Sequence, residues 1–296
     1  MSSSLPTLGF VGIGLMGLPM CQRLLAAGYA LHVWNRSADK CSPLLAQGAV
    51  LEPSPAELCA KVDLVMVCLA DTAAVRAVVF GPGGIAEQAK PGQLLVDFSS
   101  LDPAATREMA AELEARSGMR WVDAPVSGGV QGAESGSLAI MAGGREEDVE
   151  RVRPLLTHLG QRLTRMGDVG AGQVTKVCNQ MLVACNALVI AEVVALAERA
   201  GVDAELLAPA LAGGFADSKP LQILAPQMAE SRFEPIKWHV RTLLKDLDTA
   251  VKLAREQGGA TPMSGLAAQL MRLHGSQGHL EQDPATLVSL FREQTP

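Results

Sequence analysis

A glycine-rich turn near the N-terminus constrains the possible folds more than any other feature of the sequence. Residues 8–13 form a short apolar run, and a helical pattern follows from Gly17 to about Ala27. The turn between them, Gly12-Ile13-Gly14-Leu15-Met16-Gly17, has the spacing G-x-G-x-x-G. Such glycines permit a tight strand-to-helix turn and let backbone N–H groups at the helix N-terminus approach a phosphate. The context predicts a dinucleotide-binding turn, and the alternative is a plain strand–helix connection.

Several more apolar runs follow the first, separated by alanine-rich or charged helical segments. They lie at residues 30–34, 64–69, 94–98, 121–124, 138–142 and 162–166. The runs are apolar throughout rather than alternating, which is typical of strands covered on both faces. Strands that alternate with helices predict an α/β fold with a doubly wound, largely parallel sheet.

The sequence pattern changes near Gly167. Neither Gly nor Pro interrupts a long helical stretch from Gly172 to Ala200, and the pattern stays helical beyond it. Helix breaks are predicted at Gly213-Gly214, Pro220, Pro226, Pro235, Gly258-Gly259 and Pro284. We therefore expect an α/β domain over residues 1–167 and an all-helical domain over residues 168–296 that opens with the long helix.

Composition excludes several classes of function. The chain has 25 Lys and Arg against 31 Asp and Glu, and only three Trp, one Tyr and six Phe, which argues against a nucleic-acid partner. Tyr29 is the single tyrosine and Val33 stands four residues later, so the Tyr–Lys pair of short-chain dehydrogenases is absent. Residues 177–191 are too short and too polar for a membrane span.

Six cysteines without a CxxC pair and five scattered histidines predict no metal site. Free thiols and the lack of a signal peptide predict a cytoplasmic protein.

The end of the second predicted strand bears on cofactor choice. An acid at this place would accept a hydrogen bond from the ribose 2′-hydroxyl of NAD, but this chain has Asn35-Arg36-Ser37. Arg36 can pair with a 2′-phosphate, and Lys40 can assist it. The residues therefore favour NADP over NAD, and the alternative is an ordinary surface arginine.

Three further clusters contain residues suited to chemistry. Ser127-Gly128-Gly129 follows the fifth strand and offers a hydroxyl and backbone N–H groups to a carboxylate, unless it is only a turn that joins two strands. Lys176 and Asn179 share a face at the start of the long helix. A lysine on an apolar helix at a domain boundary is costly unless it faces a cleft, and the alternative is a side chain that reaches solvent. Lys245-Asp246 is, by itself, an ordinary helical charge pair.

The order of four motifs, at residues 12–20, 123–133, 170–179 and 245–246, resembles the β-hydroxyacid dehydrogenase family over essentially the whole chain. That family includes 3-hydroxyisobutyrate dehydrogenase and tartronate semialdehyde (2-hydroxy-3-oxopropionate) reductase. The resemblance implies a Rossmann-type domain that binds a nicotinamide dinucleotide, for which Arg36 favours NADP, an all-helical domain after it and an active site between them. It also implies a homodimer or homotetramer that transfers a hydride between the nicotinamide and a small β-hydroxyacid or its semialdehyde.

The resemblance also implies roles for individual residues. Lys176 matches the catalytic lysine of the family, and Lys245 matches a lysine that closes over the cofactor. The residues matching substrate-binding positions are Ser127, Gly128, Gly129, Asn179 and Asp246. The other expected cofactor-binding residues are Gly12, Ile13, Gly14, Leu15, Met16, Gly17, Asn35, Arg36, Ser37, Lys40, Leu69, Ala70 and Ser100. Position 70 is Ala where many members have Pro, and position 100 is Ser where many have Thr.

The segment at 213–218 and the later Phe233-x-Pro235 resemble tartronate semialdehyde reductase more than 3-hydroxyisobutyrate dehydrogenase. The preferred substrate is therefore tartronate semialdehyde, with 3-hydroxyisobutyrate, succinic semialdehyde and glyoxylate as alternatives. Imine reduction is disfavoured because relatives with that activity usually lack a lysine at position 176. A cofactor-binding scaffold or sensor without turnover is the non-enzyme alternative, although such a protein is expected to lose Lys176 or the Ser-Gly-Gly turn.

Overall fold

The computed structural model describes residues 5–292. These residues contain nine strands, all in one sheet. The strands are β1 (Leu8–Val11), β2 (Leu31–Trp34), β3 (Val50–Leu51), β4 (Leu64–Val67), β5 (Leu94–Asp97), β6 (Arg120–Asp123), β7 (Val126–Ser127), β8 (Leu138–Gly143) and β9 (Gly160–Gly167). All seven predicted strands are confirmed, and the two missed strands, β3 and β7, have only two residues each.

The sheet has the order β3-β2-β1-β4-β5-β6-β8-β7, and β9 pairs with β8. Strands β1 to β6 pair in parallel, whereas β8 runs antiparallel to β6 and β7. The strand order reverses between β1 and β4. In a doubly wound sheet, ligands bind outside the carboxyl ends of the strands at this reversal. The glycine turn directly follows β1, so the topology puts it at the reversal.

Helices cover both faces of the sheet. The helices before the long one are α1 (Gly17–Ala26), α2 (Ser42–Leu45), α3 (Pro55–Lys61), α4 (Thr72–Phe80), α5 (Pro103–Ser117), α6 (Gly129–Ser135) and α7 (Glu146–Leu156), with 3₁₀ turns at Ala38–Cys41 and Ile85–Glu87. Alternate residues of β4 enter different cores. Leu64 and Met66 pack in one apolar cluster, whereas Val65 and Val67 pack in the other. This confirms that continuous apolar runs mark strands covered on both faces.

Local sequence signals explain where several helices begin and end. The Asp71 carboxylate accepts a hydrogen bond from the Ala74 N–H at 2.8 Å and caps α4. Asp102 caps α5 in the same way, with Pro103 at the first helical position. Gly118 ends α5 in the left-handed conformation, with φ of 72°.

The chain forms two compact units, of which the first ends at Lys176 and the second begins at Val177. The division lies within α8 (Ala171–Arg199), the long helix expected over residues 172–200. The expected domain boundary after residue 167 stays a prediction.

The described residues of the second unit form helices joined by loops, and none of them lies in a strand. After α8 it contains α9 (Leu207–Leu211), α10 (Lys219–Ala229), α11 (Val240–Glu256) and α12 (Pro262–His274), 3₁₀ turns at Ala204–Leu206 and Pro284–Leu290, and a π turn at Gly275–His279. One sequence expectation is wrong here, since Pro226 lies inside α10. Proline removes a single backbone hydrogen bond. The helix continues across it because the adjacent Leu224, Ala225 and Met228 are buried in the core of this unit.

Helix α8 is the one segment of the described chain that is long and apolar enough to cross a membrane, with a mean hydropathy of 2.0. Core helices of water-soluble proteins meet the same criteria. Ala184, Leu188 and Ala191 of α8 pack in the apolar core of the second unit.

Candidate functional site

The glycine turn and the end of β2 are brought together by the parallel pairing of β1 with β2. Val11 and Trp34 are register partners, and the Gly12 N–H donates to the Trp34 carbonyl at 3.0 Å. The Ile13 N–H then donates to the Asn35 side-chain oxygen at 3.0 Å. The Asn35 side chain therefore stabilises the conformation of the glycine turn, and Asn35 directly precedes Arg36 in the sequence.

The three glycines of the turn have different surroundings. Gly12 has a φ of +103°, and a Cβ there would lie 2.3 Å from the Cys68 carbonyl oxygen. A Cβ on Gly17 would lie 2.0 Å from the Gly12 carbonyl oxygen, so close backbone packing requires glycine at both positions. A Cβ on Gly14 would meet no heavy atom within 4 Å. Gly14 therefore borders open space in front of the α1 N-terminus, which fits the close approach of a pyrophosphate.

The remaining residues of this turn differ in exposure. Ile13 is buried, Met16 is half-buried, and Leu15 is 80% exposed. Leu15 and Gly14 thus form the open side of the turn.

A pocket of about 440 Å³ lies beside the end of β2. Its lining residues are Trp34, Asn35, Arg36, Ala38, Leu51, Glu52 and Pro53. Arg36 is exposed, as are Ser37 and Lys40 in the following turn. The structure therefore brings Arg36 to a pocket next to the glycine turn, as expected of a residue that binds the adenosine half of a dinucleotide.

Glu52 is a residue of this pocket that the sequence did not point to. It is 2% exposed, and its carboxylate is within 2.7 Å of His32 Nδ1 and accepts a hydrogen bond from Lys61 Nζ at 2.6 Å. Burial opposes ionisation of Glu52, but the hydrogen bonds from Lys61 and His32 outweigh it and hold its pKa below the usual range. Glu52 directly follows β3, and no sequence signal had marked that strand.

The loops after β4 and β5 lie at the same edge of the sheet. The Cys68 N–H donates to the Val11 carbonyl at 3.0 Å, and the Leu69 N–H donates to the Ser99 hydroxyl at 2.9 Å. A Cβ on Gly12 would lie 2.9 Å from a methyl group of Leu69. Ala70 is exposed and Ser100 is half-buried. The expected cofactor loops thus lie beside the glycine turn, and Ser99 is a connecting residue that sequence reasoning missed.

The Ser127-Gly128-Gly129 segment leads from a strand into a helix. Ser127 ends β7 and pairs with Ala139 of β8, and Gly129 begins α6. Gly128 and Gly129 are exposed, with φ values of 138° and 63°. The simple alternative, a turn that joins two strands, is therefore wrong. Glycine permits these positive φ values and leaves the backbone open to solvent.

Two buried side chains attach the start of α8 to the sheet. Asp123, at the end of β6, accepts hydrogen bonds from the N–H groups of Gly170 at 2.7 Å and Gln173 at 2.8 Å. The Gln173 amide donates to the Ser99 carbonyl at 2.8 Å and accepts from the Leu101 N–H at 3.0 Å. Sequence reasoning assigned no role to either side chain.

Asp123 is next to a second buried acid, Asp97, because the two residues are register partners on β5 and β6. Burial raises the pKa of Asp97 to about 7, although a hydrogen bond from the Ser99 N–H lowers it. Burial also raises the pKa of Asp123 to about 6, against the hydrogen bonds from Gly170 and Gln173. Asp123, which accepts hydrogen bonds from two backbone N–H groups at the start of α8, therefore has the lower pKa of the two carboxyls.

The second unit contains a chain of polar contacts among expected site residues. The Asn179 amide donates to the Gln180 side-chain oxygen at 2.8 Å, and the Gln180 amide donates to an Asp246 oxygen at 2.6 Å. Lys245 Nζ lies 3.8 Å from the other Asp246 oxygen. Gln180 therefore links Asn179 to Asp246, which is itself close to Lys245. In the sequence, only its position next to Asn179 could have indicated that Gln180 belongs to this group.

Lys176 is half-buried on α8, three residues before Asn179. Residues three apart on a helix lie on the same face, about 5–6 Å apart at Cβ. Among residues 5–292, no group of three or more His, Cys, Asp or Glu side chains is placed to hold a metal ion.

Models of two known protein families match the chain. The NAD-binding domain of 6-phosphogluconate dehydrogenase matches residues 7–167, and the NAD-binding domain of NADP-dependent 3-hydroxyisobutyrate dehydrogenase matches residues 170–291. The first match alone covers more than half of the sequence. The chain belongs to the β-hydroxyacid dehydrogenase family. It is therefore an oxidoreductase with the pyridine-nucleotide-binding fold of that family, as its four motifs implied.

Individual members of the family are similar over nearly their full length. The 2-hydroxy-3-oxopropionate reductase of Escherichia coli is 35% identical over 281 residues, which are 95% of each chain. The NAD-dependent L-serine dehydrogenase of Pseudomonas aeruginosa is 33% identical and covers 96% of this chain and 97% of its own. A structure of 3-hydroxyisobutyrate dehydrogenase from Mycobacterium tuberculosis with L-serine has a TM-score of 0.88 at 30% identity, covering 98% of this chain and 100% of that one.

Proposed function

We propose that this member of the family is an NADP(H)-dependent reductase of a small semialdehyde that carries a carboxylate, with tartronate semialdehyde as the first candidate. The observation that carries the proposal is the Lys176–Asn179 face of α8. Asn179 is linked through Gln180 to Asp246 within the second unit. A lysine and an amide on one helix face provide a proton donor and a group to orient it.

The proposed role of Lys176 is proton transfer at the substrate oxygen. When bound, the nicotinamide supplies the hydride that reduces the aldehyde carbon. As negative charge develops on the carbonyl oxygen, the Lys176 ammonium stabilises it and donates a proton from Nζ. In the oxidising direction, neutral Lys176 accepts the hydroxyl proton. Asn179 orients either Nζ or the substrate hydroxyl.

The proposed substrate class follows from groups suited to bind a carboxylate. The Ser127 hydroxyl and the backbone N–H groups of Gly128 and Gly129 are hydrogen-bond donors at a glycine-rich turn. Similarity to the E. coli 2-hydroxy-3-oxopropionate reductase and the segment at 213–218 favour tartronate semialdehyde. We keep 3-hydroxyisobutyrate, succinic semialdehyde and glyoxylate as alternatives, and the similarity to an L-serine dehydrogenase adds L-serine.

NADP is the proposed cofactor because Arg36 lines the pocket beside the glycine turn. A guanidinium pairs with the 2′-phosphate that distinguishes NADP from NAD. Both oxygens of Glu52, the acid in the same pocket, contact His32 and Lys61. The NAD-dependent P. aeruginosa relative makes NAD the alternative that the experiment must test. We propose that Ser37, Lys40, Leu69, Ala70, Ser100 and Lys245 contribute the other cofactor contacts.

We also propose a cytoplasmic homodimer or homotetramer that binds neither nucleic acid nor membrane. Leu182, Val189 and Leu196 are exposed at seven-residue intervals on α8, which gives that helix an apolar stripe suited to a subunit interface. The net charge of −6 argues against nucleic acid.

The test is a panel of aldehydes with NADPH and NADH in parallel, followed by absorbance of the reduced nicotinamide. The panel contains tartronate, methylmalonate and succinate semialdehydes and glyoxylate, with propanal as a control without a carboxylate. We expect kcat/KM with NADPH to be at least ~10-fold higher for a carboxylate-bearing aldehyde than for propanal, since charge-assisted hydrogen bonds contribute about 1.5–3 kcal/mol. Binding of NADPH without turnover across the panel would support the scaffold alternative, and a preference for NADH would contradict the role of Arg36.

A further inference from the structure

We propose that Asp123 and Gln173 are positioning residues that hold the first turn of α8 and thereby set where Lys176 presents its Nζ atom. This inference rests on the proposed function, because it takes Lys176 as the proton donor. Neither Asp123 nor Gln173 has a role in the proposed contacts to cofactor or substrate.

Asp123 acts as a helix cap supplied by a distant strand. The first N–H groups of a helix have no partner within the helix, and a carboxylate satisfies them and interacts favourably with the positive end of the helix dipole. Asp123 contacts the Gly170 and Gln173 N–H groups with one oxygen each, at 2.7 and 2.8 Å, and is fully buried. The carboxylate thus fixes the helix start in position and in direction.

Two glycines around Asp123 leave the cap little freedom to move. A Cβ on Gly143 would lie 2.5 Å from Asp123 Oδ1, and a Cβ on Gly172 would lie 2.8 Å from Oδ2. The backbone of β8 and that of α8 therefore approach the carboxylate as closely as they can. Such close packing transmits a displacement of the cap directly to the helix backbone.

Gln173 attaches the same turn to the loop after β5. Its side chain is 1% exposed and uses both ends of its amide, donating to the Ser99 carbonyl and accepting from the Leu101 N–H. These two residues flank Ser100, a proposed cofactor contact. Gln173 also lies three residues before Lys176, on the same helix face. One buried amide therefore connects the proposed cofactor loop to the turn that precedes the lysine.

The consequence for catalysis is one of alignment. Proton transfer requires the donor within hydrogen-bond reach of the reacting oxygen, and a misplacement of about 1 Å can lower the rate by roughly 10²-fold. Removal of either contact frees the first turn of α8 without removing any group that touches the reactants. The expected signature is a loss in kcat that depends on the presence of Lys176.

The experiment is a double-mutant cycle on the full chain. Gln173→Met keeps the length of the side chain and removes both hydrogen bonds. We expect it to lower kcat by about 10- to 100-fold, with the Kd of NADPH changed by less than about 3-fold. In the Lys176→Ala background the same change should alter the residual kcat by less than about 2-fold, because no lysine is left to misplace. Gln161→Met, at an exposed glutamine of β9, is the matched control and should leave kcat unchanged.

A second variant tests the cap without reference to turnover. Asp123→Asn puts an amide N–H₂ against one of the two backbone donors, so we expect faster hydrogen exchange at the amides of residues 170–173, with exchange in β1 unchanged. If Gln173→Met does not fold, the cycle with Lys176→Ala is made with Asp123→Asn.

The outcomes separate the two proposals. If Lys176→Ala leaves kcat unchanged, the proposed function is wrong. If Lys176→Ala lowers kcat as expected but the Gln173→Met effect on kcat is equal in both backgrounds, or absent in both, the proposed function stands and the positioning role is overturned. Unchanged exchange at residues 170–173 in Asp123→Asn also overturns the role of Asp123.

Discussion

Lys176 and Arg36 are the two side chains on which the proposed activity and the proposed cofactor preference most directly depend. Lys176 is half-buried on α8, whereas Arg36 is exposed and lines a pocket beside the glycine turn. The first carries the proposed proton transfer, and the second carries the proposed choice between two cofactors that differ by one phosphate. Each proposal can therefore be tested by a single substitution with a separate readout.

Lys176→Ala should leave folding and NADPH binding intact but lower kcat by roughly 10²–10⁴-fold, the usual contribution of a positioned acid or base. Steady-state assays with the best aldehyde of the panel measure kcat, and titration with NADPH followed by fluorescence measures cofactor binding. The control is Lys90→Ala, at an exposed lysine of the same unit, which should retain full activity. Near-normal turnover in Lys176→Ala would remove the lysine from the mechanism.

Arg36→Asp should reverse the cofactor preference, because it replaces a cation that attracts the 2′-phosphate with a carboxylate that repels it. We expect the ratio of kcat/KM for NADPH to that for NADH to fall by about 10- to 100-fold, given ~1.5–3 kcal/mol for a charge-assisted hydrogen bond. Arg162→Asp makes the same change of charge at an exposed site on β9 and should leave the ratio unchanged. An equal ratio in Arg36→Asp and the parent protein would show that Arg36 is only a surface arginine.

In the β1–turn–α1 unit, glycines that the fold requires can be distinguished from a glycine that is suited to cofactor binding. Gly12 and Gly17 are required by backbone packing, since a Cβ on either would meet a carbonyl oxygen at 2.3 or 2.0 Å. Gly14 borders open space instead. The same motif thus combines two structural glycines with one whose small size matters only when a phosphate approaches.

Gly14→Ala is predicted to fold with a Tm close to that of the parent protein and to raise the Kd of NADPH by at least about 10-fold, because the added methyl group occupies the approach of the pyrophosphate. Gly17→Ala is the matched comparison and should lower the free energy of unfolding by about 1–3 kcal/mol, as overpacking does. Thermal unfolding and NADPH titration of both variants distinguish the effects. Tight NADPH binding by Gly14→Ala would argue for a plain strand–helix connection.

At the scale of the whole molecule, the chain divides into two compact units with separate apolar cores, and the first unit buries two acids on neighbouring strands of its sheet. Asp97 and Asp123 are 0% exposed on neighbouring strands β5 and β6. Burial raises the pKa of Asp97 to about 7, so the folded protein retains a proton there that the unfolded chain releases near pH 4. This difference makes the stability of the molecule depend on pH.

The sign of that dependence is a testable prediction. The contribution of Asp97 to stability is fully present below its unfolded pKa of about 4 and is lost as the pH rises towards 7, because the buried carboxyl must then ionise. Asp97→Asn should therefore raise the free energy of unfolding by about 1–3 kcal/mol more near pH 8 than near pH 4, where the unfolded chain also keeps much of the proton. Urea unfolding at the two pH values measures this, with Asp39→Asn as an exposed control. Equal effects of Asp97→Asn at both pH values would contradict the raised pKa.

The sequence by itself determined the seven main strands, the glycine turn, the long helix and the family, because these depend on local patterns and on motifs that are contiguous in the chain. It missed β3 and β7, which are too short to show a pattern, and it wrongly expected Pro226 to end a helix whose core contacts outweigh one lost hydrogen bond. Only the tertiary structure revealed that Asp123 caps α8, at a sequence separation of 47 from Gly170, and that Gln173 contacts Ser99 at a sequence separation of 74. The partner of a buried polar group is chosen by how the strands and helices pack, and no local pattern contains that information.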